Sequence, residues 1–157
     1  MKAAFAVLLV LALPSAAWAQ SANWTRYNLG QGSAAVDLPA GLFERDSGVS
    51  KNGAGHTFAT ADGRADLSLY ALPNRPGRTP ARFMAEEFQL PQSSAIYRRV
   101  STNMLAVSGF RGDQIFYVRC NFGRSNLHCV SLNYPAREKR AWDGVVTRIS
   151  HSLSRAG

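Results

Sequence analysis

Residues 114–134 read QIFYVRCNFGRSNLHCVSLNY, two apolar-rich runs flanking Gly123-Arg124-Ser125-Asn126. Runs of β-branched and aromatic residues on either side of a Gly-containing turn signal a β-hairpin. If Phe122 pairs with Leu127 across the four-residue turn, Asn121 faces His128 and Cys120 faces Cys129. The turn geometry thus brings the two sulfurs opposite each other, where a cross-strand disulfide can form. Ile115-Phe116-Tyr117-Val118 does not alternate with polar residues. A strand apolar on both sides belongs to a sheet covered on both faces.

Working outward, strands are predicted over 34–38, 56–60, 65–72, 95–100 and 104–110, with a further short one possible at Trp24-Thr25-Arg26-Tyr27. Ala61-Asp62-Gly63-Arg64 carries the Asp-Gly signal of a hairpin turn. The polar, Gly-, Ser- and Asn-rich stretch 44–55 reads as a loop. Thr79 followed by Pro80 forms a helix start, cap then first position. Phe83, Met84, Phe88 and Leu90 line one side of that helix. The clearest helix runs from about Ala136 to Ser154, because Trp142, Val145, Val146, Ile149 and Leu153 fall on one stripe at helical spacing. The expected fold class is α+β, an antiparallel sheet covered by helices on both faces, with one disulfide hairpin.

The chain opens with Met1-Lys2, an apolar run from Ala3 to Leu13, and Ala17-Trp18-Ala19. That is the pattern of a secretory signal cleaved after Ala19. The run is shorter than the roughly 20 apolar residues a membrane span needs. Residues 20–157 are then expected as a single domain, periplasmic or secreted, and not embedded in a membrane. Outside the cytoplasm an even pair of cysteines reads as a structural disulfide, and eight intervening residues fit neither a redox CxxC nor a zinc site.

The 157-residue chain has 18 basic and 10 acidic residues, a formal net charge of +8. Such a balance suits either solubility or an anionic partner, such as an envelope component or an acidic protein. Nucleic acid is not expected, since no recognition motif accompanies the charge. On the C-terminal helix Arg137, Arg140, Gly144, Arg148, His151 and Arg155 form the stripe opposite the apolar one. It reads either as a solvated face or as a docking surface; Arg137, Arg140, Arg148, His151 and Arg155 are the candidate binding residues. Trp24, Tyr27, Tyr70, Tyr97 and Tyr134 either line a ligand groove or fill the core.

No catalytic residue is assigned. His56, His128 and His151 are scattered, no GxSxG elbow occurs, and the cysteines are expected to be oxidised. No metal-ligand spacing and no phosphate loop is present, so no metal and no cofactor are expected.

Trp24 through Tyr27, Val36-Asp37-Leu38-Pro39, Thr60 through Ala65, Val107-Ser108-Gly109, Tyr117 through Phe122, His128-Cys129, Tyr134-Pro135 and Arg140 through Ser150 together form a family signature. On these blocks the chain resembles a family of small exported proteobacterial proteins, and the likeness is silent on activity. More remotely, the order of elements resembles the fold of PsbP, the extrinsic photosystem II protein. That resemblance implies an α/β/α sandwich and a non-enzymatic role, because members of the fold are mostly binding or assembly factors. The expected function is therefore a soluble exported binding or accessory protein. The alternatives are an envelope hydrolase with a spatially assembled site, or an inhibitor of a secreted hydrolase that inserts the tip 123–126.

Overall fold

The computed structural model describes residues 23–30, 34–89 and 94–154. The expected signal segment 1–19, Leu90 and Arg155 lie outside the described residues. The chain order is β1 (Trp24–Leu29), β2 (Ala34–Pro39), β3 (Arg45–Val49), β4 (Ala54–Ala59), β5 (Asp66–Pro73), α1 (Pro80–Glu87), β6 (Ala95–Val100), β7 (Met104–Arg111), β8 (Gln114–Phe122), β9 (Asn126–Pro135) and α2 (Lys139–Ser152). Seven strands form one antiparallel sheet in the order β3-β4-β5-β9-β8-β7-β6, and β1 and β2 form a separate hairpin.

The β8–β9 hairpin has the register expected from its turn. Phe122 pairs with Leu127, Asn121 with His128 and Cys120 with Cys129. The two cysteines are joined in a disulfide, their Cα atoms 4.1 Å apart. The last strand, β9, enters between β5 and β8 and occupies the middle of the sheet. Its long apolar run is buried because both of its edges and both of its faces are occupied.

Side chains of β8 divide between two cores, as alternation along a strand requires. Ile115 and Tyr117 pack with Leu67, Leu69, Val130 and Leu132 and with Trp142, Val145 and Ile149 of α2. Phe116, Val118 and Cys120 pack instead with Phe83 and Met84 of α1, Tyr70, Leu105 and Leu127. The β1–β2 hairpin lies beside α2, and Val36 and Leu38 complete that first core.

The helix signals act as read. The Thr79 hydroxyl accepts a hydrogen bond from the Arg82 amide, and Pro80 occupies the first helical position. The Asp-Gly turn closes through Gly63, whose φ of 68° lies in the left-handed region that glycine adopts freely. The C-terminal helix proper begins at Lys139, after a 3-10 turn over Ala136–Glu138, and ends at Ser152.

One expectation fails. Residues 44–55 contain β3, which pairs antiparallel with β4 at the sheet edge. Register shifts between Asp46 and Val49, and Gly48 sits at φ 80°. An irregular edge strand with one bonded side needs no apolar alternation, so its composition resembles that of a loop.

Candidate functional site

The basic stripe of α2 is where sequence and structure meet. Its inner side is anchored by Trp142, Val145, Val146 and Ile149, all buried. This fixes the opposite side outward, since residues three or four apart share a helix face. Arg140, Gly144, Arg148 and His151 are exposed. Gly144, Thr147, Arg148 and His151 line one wall of an open groove of about 700 Å³ that also includes Asp37, Asp143 and Ser152. Arg137 lies outside this groove, in the 3-10 turn, where its guanidinium is 3.7 Å from Glu138. Arg155 lies outside the described residues.

The β1–β2 hairpin supports the groove. The Arg148 guanidinium carbon lies 4.1 Å from the centroid of the Trp24 ring. Arg26 donates to Asp37 at 2.9 Å and to the Ser152 carbonyl at 2.8 Å. The Asp37 amide donates to the Ser152 hydroxyl, and the Ala35 amide to the Ser154 hydroxyl, each at 2.8 Å. These contacts occupy carbonyl and amide groups that the helix end and the strand edge would otherwise leave open. Both carboxylates of the groove have cationic partners of their own: Asp37 has Arg26, and Asp143 has Lys139 at 2.8 Å. Arg148 and His151 therefore stay available, while Arg140 makes no ion pair with any described residue.

Trp24, Arg26, Asp37 and Ser152 were not singled out as site residues in the sequence. Only the alternation of Trp24 and Arg26 on one strand hints at a surface aromatic beside a cation.

A second concavity of about 530 Å³ opens at the start of α2, floored by Leu42, Ala65, Trp142 and Val145 and rimmed by Glu44, Asp62, Arg64 and Glu138. Arg64 donates to Asp62 at 2.6 Å and bonds Glu138, and Thr60 donates to Asp62 at 2.7 Å. The Arg64 amide, then the Thr60 hydroxyl and the Arg64 guanidinium, hold the Asp62 carboxyl far below the usual carboxylate range. A carboxylate so held stays ionised and is a poor proton donor near neutrality. Trp142 stacks on Tyr134 with ring centroids 5.3 Å apart, and burial pushes the Tyr134 phenol up to about 12.

The three histidines do not converge. His56 Nε2 lies 2.5 Å from Asp46 Oδ1 on the β3–β4 edge. His128 is buried on β9, and burial lowers its pKa; His151 is exposed on α2. No hydroxyl among the described residues bonds the His56 ring. Among the described residues, no group of three His, Cys, Asp or Glu side chains is placed to hold a metal. The hairpin tip 123–126 is tied down: Asn74 donates to the Gly123 carbonyl through its side chain and to the Ser125 carbonyl through its amide, each at 2.8 Å. Of the five aromatics, Tyr70 and Tyr134 are core residues, Trp24 and Tyr27 pack half-buried against the α2 core, and Tyr97 is exposed. No described helix is long and apolar enough to cross a membrane.

No protein-family model and no curated protein matches the chain in sequence. Solved structures do match in fold. Cyanobacterial PsbP (CyanoP) from Synechocystis sp. PCC 6803 superposes with a TM-score of 0.62 at 13% identity, over 85% of this chain and 93% of that one. The Ran-binding protein Mog1p of Saccharomyces cerevisiae superposes with a TM-score of 0.58 at 10% identity, over 87% of this chain and 97% of that one. At these identities the likeness is one of fold, and the fold is PsbP-like.

Proposed function

We propose that this chain is a non-enzymatic binding or accessory protein that presents the outer face of α2 to an anionic partner. The observation that carries this reading is the fixed guanidinium of Arg148 on Trp24, beside carboxylates already neutralised by Arg26 and Lys139. A cation held in place loses little conformational freedom on binding, which favours charge-assisted recognition. Arg140 and His151 extend the same stripe, and Gly144 leaves room between Arg140 and Arg148 for a partner to approach. Arg155 continues it beyond the described residues.

The structural neighbours support a binding role by analogy of fold alone. One is named as a Ran-binding protein, and neither is named as an enzyme. The disulfide supports an oxidising compartment, periplasmic or extracellular, and fits residues 1–19 as an export signal ahead of a single domain 20–157. Membership of the exported proteobacterial family rests on the sequence blocks quoted above. The three-layer α/β/α reading rests on the division of β8 side chains between the α1 and α2 cores.

The test is retention of mature 20–157 on immobilised detergent-solubilised envelope, compared with the variant R140E/R148E. The expected result is a salt-sensitive partner that the double reversal loses, with the melting temperature within a few degrees of the parent. Unchanged retention of the variant removes α2 from consideration.

A further inference from the structure

The two edges of the seven-stranded sheet differ. At β3 the edge is broken by a register shift and carries Arg45 beside Asp46. At β6 the irregularity is confined to the first residues: Ala95 pairs with Gly109 and Tyr97 with Ser108, leaving Ile96 as the extra residue. From Tyr97 to Val100 the pairing with β7 is continuous, and the other side of β6 has no strand. A regular edge presents unpaired backbone donors and acceptors and is a template for a further strand.

The side chains there are not those of a solvated edge. Ile96, Tyr97 and Val100 are 39, 45 and 40% exposed, and Phe110 on β7 is 49% exposed. Register places Tyr97 and Phe110 on the same face, since Tyr97 pairs with Ser108 and Phe110 lies two residues further along β7. Arg99 shares that face, while Arg98 and Val100 point to the other. Tyrosine and arginine are the side chains most enriched where binding energy concentrates.

The charge of this edge has one sign. No Asp or Glu occurs between Glu87 and Asp113, so β6 and β7 contain no carboxylate. Arg98 and Arg99 make no ion pair with any described residue. A second copy of a chain with net charge +8 would bring like charges together along the strand. An acidic strand would pair with them instead.

We infer that β6 is a strand-addition site, taking an extended segment of a partner protein in which acidic residues interleave with apolar ones. The backbone edge supplies main-chain hydrogen bonds, and Tyr97, Phe110, Arg98 and Arg99 supply selectivity. This surface is separate from the α2 face, and it stands or falls independently of that reading.

The test uses mature 20–157 and a capped synthetic peptide alternating Glu with Val and Tyr, followed by fluorescence anisotropy and by hydrogen exchange of the β6 amides. Binding is expected together with slowed exchange at Tyr97 to Val100. R98E/R99E should weaken it by about tenfold or more, with the fold intact by its melting temperature. The same peptide N-methylated at alternate amides should lose binding, a control that leaves the protein untouched. No binding at about 1 mM peptide overturns the inference, that being the weak end of measurable affinity. Equal binding of the N-methylated peptide, or of one with Lys for Glu, overturns it as well. Protection of β6 that grows with protein concentration in the absence of peptide would instead assign the edge to a second copy.

Discussion

Trp24 and Arg148 join the first described strand to the last helix, the guanidinium carbon lying 4.1 Å from the ring centroid. Cation–π pairs near a surface contribute about 0.5–1 kcal/mol. In a cycle of W24A, R148A and the double variant, urea unfolding should show a coupling energy of that size. Additive single effects would mean that the two side chains are neighbours without interaction.

The Cys120–Cys129 bridge closes a short loop within one hairpin. On the chain-entropy model, a loop of about ten residues stabilises by roughly 2.5–3 kcal/mol. Reduction, or C120S/C129S, should lower the melting temperature by about 10 °C for a domain of this size and leave a folded protein. Calorimetry with and without reductant measures this. A shift below about 2 °C would mean that the hairpin is equally restricted without its bridge.

Gly55 and Gly41 should respond oppositely to alanine. A Cβ at Gly55 would stand 2.1 Å from the Leu69 carbonyl oxygen and 2.5 Å from the Tyr70 Cα. Both are backbone atoms of the paired strand β5, which cannot yield without separating from β4. At Gly41 a Cβ would meet nothing within 4 Å. G55A should cost several kcal/mol, about the 3 or more typical of severe overpacking, whereas G41A should be neutral or stabilise by up to about 1 kcal/mol. Equal melting temperatures for the two variants would refute the close approach of β4 and β5 at this point.

Acid should destabilise the fold in two windows. Burial lowers the His128 pKa from its ordinary 6.5, so the folded state binds this proton less readily than the unfolded chain. Stability is then unaffected above about 6.5 and declines as pH falls below it. Asp62 is also lowered, from 3.8, chiefly by the Arg64 amide. Its contribution is present above that value and is lost as pH falls toward the folded value. Melting curves from pH 7.5 to 2.5 should show H128Q flattening the upper window and D62N the lower. A D62N profile parallel to the parent's below about pH 4 would remove Asp62 from the account.

Much of this architecture was legible because short-range rules fix it. Four turn residues determine the β8–β9 register, and therefore the Cys120–Cys129 pairing. Helical spacing separates Trp142, Val145 and Ile149 from Arg140, Arg148 and His151. The failure at β3 has the same origin in reverse. Arg45-Asp46-Ser47-Gly48-Val49 has neither alternation nor β-branched enrichment, and the sheet edge alone makes it a strand. The supports of the α2 groove were hidden for a different reason. Arg26, Asp37 and Ser152 meet across more than one hundred residues of chain, and no local pattern encodes such a meeting.

The position of β9 governs the order of events at synthesis. Up to residue 125 the chain can form a ribbon of β3, β4 and β5 and a meander of β6, β7 and β8, with nothing to join them. Both inner edges stay open until Asn126–Pro135 slots between them, pairing Asp66 with Asn133 on one side and Cys120 with Cys129 on the other. Neither core closes before the final thirty or so residues have been delivered. The intermediate most at risk of aggregation is thus an almost complete chain, and a protease or a chaperone meets two half-sheets awaiting one strand.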